Sequence, residues 1–72
     1  MNNPLRVGRH QKTQRTVAIV EGTDRGVPFR ILYKRMDAAE RDAMRFNGEL
    51  LDLNTGVYRR WIPSIEEWRN VL

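Results

Sequence analysis

The chain predicts a small α+β domain: an antiparallel sheet of two hairpins, in the order ββαββα, with one or two short covering helices. Three observations predict it. Two β-rich segments, residues 16–21 and 29–35, flank a turn punctuated by Gly22, Gly26 and Pro28. A second pair, residues 49–53 and 57–61, flanks Asn54-Thr55-Gly56. Residues 37–40 and 64–67 each place a capping side chain three positions before a glutamate, which is how helices begin. A chain of 72 residues buries only about 60% of its unfolded surface, so its core must be thin.

Taken in order, residues 1–15 carry Asn, Pro, Gly and Gln among cations without apolar periodicity, and predict a flexible basic arm. Residues 16–72 predict a single domain. Thr16, Val17, Ile19 and Val20 are β-branched and form the first strand. In residues 29–35 Phe29, Ile31 and Tyr33 alternate with Arg30 and Lys34, which sets apolar and basic faces on the second. Asp37 is placed to cap a helix, with Glu40 reaching back to it. Ala39, Ala43 and Phe46 follow at helical spacing, and Asn47-Gly48 supplies a left-handed stop. A three-residue turn at Asn54–Gly56 would set Leu53 opposite Val57, Asp52 opposite Tyr58 and Leu51 opposite Arg59, and leaves open which face is buried. Pro63 ends that strand, and Ser64 caps a terminal helical turn or two with Ile65, Trp68 and Leu72 facing inward.

The charge is unevenly placed. Arg6, Arg9, Lys12 and Arg15 lie in the first twenty residues with no acid, while residues 21–72 hold nine cations and nine acids. The whole +4 formal charge therefore belongs to the arm. A neutral body with a cationic arm fits a binder that approaches nucleic acid or an acidic protein surface arm first. Without cysteine there is neither a disulfide framework nor a thiolate zinc site, which favours a reducing compartment. No apolar run approaches the ~18 residues of a membrane span, and the N-terminus lacks the apolar stretch of a secretory signal. The one histidine, His10, sits in the arm, and Asp24, Asp37, Asp42 and Asp52 do not follow a metal-loop spacing. Glu66 and Glu67 are accounted for as acids favoured by a helix start. Neither catalysis nor a cofactor or metal is expected.

Four groups can bind. In the arm, Arg6, Arg9, His10, Lys12 and Arg15 either solvate a tail or contact phosphate with salt-sensitive affinity. Tyr58, Arg59 and Arg60, between Val57 and Trp61, interleave aromatics with arginines, which suits base stacking or a protein hot spot. Trp61 and Trp68 are assigned to the core, which leaves Tyr58 the freer aromatic. On the second strand Arg30, Lys34 and Arg35 form a solvated face that also discourages edge aggregation, and the arm folded over it would make one basic patch. Glu40, Arg41, Asp42 and Arg45 predict the helix's solvent face.

With its arm Arg6-Val7-Gly8-Arg9-His10-Gln11-Lys12, the strand at residues 16–20, the segment 29–35, the stretch from Glu49 to Trp61 and the end Ser64-Ile65-Glu66-Glu67-Trp68, the chain resembles very small lytic-phage proteins that bind the host's bacterial RNA polymerase. The resemblance rests on size, layout and the lack of cysteine. It implies docking on the β′ and β subunits, inhibition of σ-dependent initiation, antitermination together with NusA, and action in the cytoplasm of an infected bacterium. On that reading the arm cations make electrostatic contacts, Tyr33, Tyr58 or Arg59 anchors the protein interface, and a monomer blocks a contact site directly. The alternatives are a free, sequence-tolerant nucleic-acid-binding domain using the arm and the sheet face, and an inhibitor of another host protein such as a nuclease. Nuclease inhibitors that mimic DNA are acidic, and this chain is basic.

Overall fold

The structure, a computed structural model, describes residues 15–71. The arm expected over residues 1–15, with Arg6, Arg9 and Lys12, falls outside the described residues except for Arg15, and so does Leu72. The fold is α+β: β1 (Ala18–Asp24), β2 (Val27–Tyr33), α1 (Met36–Phe46), β3 (Glu49–Asp52), β4 (Val57–Ile62) and β5 (Glu67–Asn70). All five strands join one antiparallel sheet in the spatial order β2-β1-β3-β4-β5. Three of its four pairings are hairpins. The fourth, β1 with β3, is made across the helix.

The first hairpin is tighter than expected. The segment 22–28 is not a long turn: β1 and β2 run through it to a two-residue connection at Arg25 and Gly26, both with positive φ (55° and 82°). That conformation carries the right-handed strand twist through the turn, which is why two residues suffice. Val17 and Tyr33 extend the pairing, the Val17 amide donating to the Tyr33 carbonyl at 2.8 Å.

The helix lies over one sheet face. Ala39 and Ala43 are buried against Ala18, Val20 and Leu50, and Val17, Phe29, Tyr33, Met36 and Trp68 pack around them. Small alanines bring the helix close, and Leu50 and Val20 are the largest side chains fully enclosed. The cap differs from expectation. Arg35 occupies the N-cap position without a side-chain bond to the helix amides, and Asp37 sits inside the first turn, accepting from the Ala38 amide at 2.9 Å and from Arg35 at 2.7 and 3.1 Å. Glu40 turns to Arg59 at 3.6 Å instead of reaching back. Asn47 ends the helix at φ 55°, as its left-handed tolerance predicts. Gly48 then passes β1 so closely that a Cβ would stand 2.8 Å from the Glu21 carbonyl oxygen and 3.1 Å from Val20 Cγ1.

Two sequence expectations fail in the second half. The β3–β4 loop has four residues, 53–56, with Gly56 left-handed (φ 76°) and its amide bonded to the Asp52 carbonyl at 2.7 Å. The extra residue moves the register by one: Asp52 faces Val57, Leu51 faces Tyr58 and Leu50 faces Arg59. Nor does Ser64 start a helix. Residues 63–66 form another four-residue turn, Glu66 takes φ 53°, Ile65 is exposed at the tip, and β5 follows, so the order is ββαβββ. A capping box contributes about 1 kcal/mol, which cannot outweigh a ladder of strand hydrogen bonds and the edge-to-face stacking of Trp61 on Trp68 at 5.5 Å.

Candidate interaction surface

Strand alternation divides the side chains between two faces. Ala18, Val20, Leu50, Arg59, Trp61 and Trp68 point toward α1. Their neighbours point to the opposite face, over which no described element lies. On this open face the registers align Leu32, Ile19, Leu51 and Tyr58 in a row across four strands. Val71 extends it to the fifth strand, since its amide donates to the Tyr58 carbonyl at 2.9 Å. Ile19, at the centre, is only 7% exposed, while Leu32 and Tyr58 remain open to solvent.

A second row runs beside the first: Arg30, Glu21, Glu49, Arg60 and Arg69. Arg30 pairs with Glu21 at 3.2 Å and Arg69 with Glu67 at 3.1 Å, all on this face. Arg60 has its Nε shielded from solvent and without a hydrogen-bond partner among the described residues. An orphaned, partly desolvated guanidinium donor is stabilised by any acceptor brought to it. Cations and acids balance here, so the face is an apolar stripe beside a stripe of mixed sign, which is the make-up of protein interfaces.

The residues singled out from sequence are dispersed by this geometry. Tyr58 and Arg60 lie on the open face, whereas Arg59 faces the helix, its guanidinium near Glu40, Met36 Sδ (3.9 Å) and the Trp68 ring (5.2 Å). The run Val57–Trp61 is thus split by its own two-residue period and is not one patch. Arg30 is on the open face, Lys34 lies at a bend after β2, and Arg15 is exposed just before β1. Tyr33 lies on the helix side and its hydroxyl donates to Asp42 Oδ2 at 2.6 Å. Burial first, then the bond to and charge of Asp42, push its pKa up to about 12. Asp42 and Glu40, assigned from sequence to the solvent face, both reach back to the sheet. Arg35 is bound to Asp37, holding that carboxyl below its usual range.

Sequence reasoning missed the apolar row. Leu32, Leu51 and Val71 carry no motif, and Ile19 fits a core on either face, so the row is visible only once the registers are known. On the opposite, helix side of the sheet a shallow recess lined by Asp24, Phe29, Ile31 and Phe46 opens between β2 and α1, with Phe29 edge-to-face on Phe46 at 5.8 Å. Among the described residues no three His, Cys, Asp or Glu side chains are grouped to hold a metal, and no helix is long and apolar enough to cross a membrane. Comparison with protein-family models, curated proteins and solved structures finds no match to this chain.

Proposed function

We propose that this chain is a non-enzymatic regulator of transcription that docks on bacterial RNA polymerase, at the β′ and β subunits, in the cytoplasm of an infected bacterium. It lowers σ-dependent initiation and favours antitermination, with NusA as a further partner. The observation that carries docking is the open sheet face: an apolar row from Leu32 to Val71 beside a row of charges, with no element of the described chain covering it. Polymerase as the target rests on the resemblance in size and layout described above. The cationic arm supplies long-range attraction, which raises encounter rates more than final affinity.

A free nucleic-acid binder is the second reading, favoured by Tyr58, Arg60, Arg30 and Arg69 sharing one face. The glutamates interleaved with those arginines weaken it, because they oppose phosphate.

The test is capture of tagged protein from bacterial lysate after nuclease treatment. Stoichiometric β and β′ are the expected catch. Recovery of nucleic acid alone, lost on nuclease digestion, would transfer the function to the second reading. Removing residues 1–15 is expected to leave the fold intact and weaken capture, most at low salt. Loss of the fold on that truncation, seen by circular dichroism, would sink the role given to the arm.

A further inference from the structure

Among the described strands β2 is a seven-residue edge of the sheet, and half of its backbone groups have no partner strand there. Across the two-residue turn Asp24 and Val27 form a hydrogen-bonded pair, so Val27, Phe29, Ile31 and Tyr33 direct their N–H and C=O groups to β1. Pro28, Arg30 and Leu32 direct theirs away from the sheet. Pro28 obeys this alternation, since a residue without an N–H is tolerated only where the ladder does not need one. The same strand is rich in uncovered apolar side chains: Val27 is 64% exposed, Leu32 59% and Ile31 39%.

We infer that β2 pairs antiparallel with β2 of a second copy of this chain, joining two sheets into one across a two-fold axis beside Ile31. The charges select that axis. Beside Ile31, Arg30 of each copy meets Leu32 of the other, both as hydrogen-bonded pairs that exchange their outward N–H and C=O groups. Ile31 then faces itself, and Phe29 faces Tyr33 of the second copy on the helix side. This closes the recess at Phe29, Ile31 and Phe46 from its open flank. Moving the axis to Arg30 would oppose Arg30 to itself, and moving it to Leu32 would oppose Arg30 to Lys34. Like charges directly opposite are destabilising. Among the axes at Arg30, Ile31 and Leu32, the one beside Ile31 alone keeps cations apart, and an axis at Phe29 would place Pro28, which has no N–H, in both central hydrogen-bonded pairs. Beside Ile31 the apolar groups Ile31, Phe29 and Tyr33 meet across the seam, and Glu21 neutralises Arg30 from within each copy at 3.2 Å.

The opposite edge does not compete. Strand β5 has four residues, of which Trp68 and Asn70 alone face outward. Pairing of β2 with β5 would propagate without closing, whereas the two-fold contact of β2 with itself closes after one partner. Pro28 and Arg30 disfavour indiscriminate strand addition and so restrict β2 to this register. The inference reaches beyond the monomer expected from sequence, because which strand ends at the edge depends on the β1–β3 pairing. It does not depend on the identity of the docking target.

The test uses the full chain alone. Sedimentation equilibrium from micromolar to millimolar concentration should show the mass rising from one chain to two. The amides of Arg30 and Leu32, directed away from β1 and without partners among the described residues, should exchange about tenfold more slowly where most molecules are paired. Leu32→Pro removes an outward N–H and no bond to β1, and should hold the protein monomeric throughout. Leu32→Ala keeps the N–H and should still dimerise. A wild-type chain that stays monomeric at millimolar concentration with both amides exchanging freely would overturn the inference. So would a dimer that persists unchanged in Leu32→Pro. If Leu32→Pro does not fold, the wild-type exchange rates decide alone.

Discussion

Tyr33 shows how one side chain couples stability to pH. Its folded-state pKa is raised from 10.0 to about 12 by burial and by Asp42, so the fold favours the protonated phenol. The stabilisation is fully present below pH 10.0 and is lost as pH rises toward 12. Alkaline titration followed by circular dichroism should therefore show a loss of stability in that window. Tyr33→Phe should cost about 1 kcal/mol near neutrality and remove much of the alkaline slope. An unchanged slope in the variant would show that the Tyr33–Asp42 bond is not its source. Glu66 offers the opposite sign. It holds φ 53° in a turn where the preceding hairpin uses Gly56, and a left-handed residue with a Cβ costs about 1–2 kcal/mol. Glu66→Gly should accordingly raise the melting temperature, by an amount equivalent to about 1 kcal/mol.

At the level of elements, α1 covers one face of the sheet and β5 extends that sheet at its edge, with Trp68 packing from β5 against the core. Trp68 stacks on Trp61 and lies under the Arg59 guanidinium, which Glu40 of α1 holds at 3.6 Å. Trp68→Ala should destabilise by about 2–3 kcal/mol, below the ~3–5 of a fully buried aromatic because the ring is half-exposed, and should loosen α1 as well. Denaturant unfolding with helix and tryptophan signals read separately checks both. The first hairpin, the helix and its Asn47 stop were legible in the sequence because their signals are local: alternation, spacing and a left-handed-tolerant residue. The last element was not. Ser64-Ile65-Glu66-Glu67 satisfies a local rule for helix starts, and only the partner Trp61, reached across a turn, reveals that Trp68 belongs to a strand. Likewise one extra loop residue at Leu53 moved the β3–β4 register, so that Leu51 faces Tyr58 and no longer Arg59.

For the whole molecule, the separation of core from open face is made by the sheet itself. Leu50 is enclosed under α1 while Leu51, its neighbour, belongs to the open row, so adjacent residues answer to different requirements. Tyr58→Ala on the open face should change stability by less than about 1 kcal/mol while weakening capture of the docking target. Equal loss of both would make Tyr58 a structural residue and move the interface elsewhere. The arrangement of strands also governs how this chain reaches its fold. Every sheet pairing but one is a hairpin that closes over a few residues. The β1–β3 seam must wait until α1 has brought Glu49 opposite Glu21, a meeting of like charges at a place where Gly48 leaves no slack. Joining these two locally built halves should then be the slow event in folding, and a chain stalled before it would expose both flanks of an unmatched sheet.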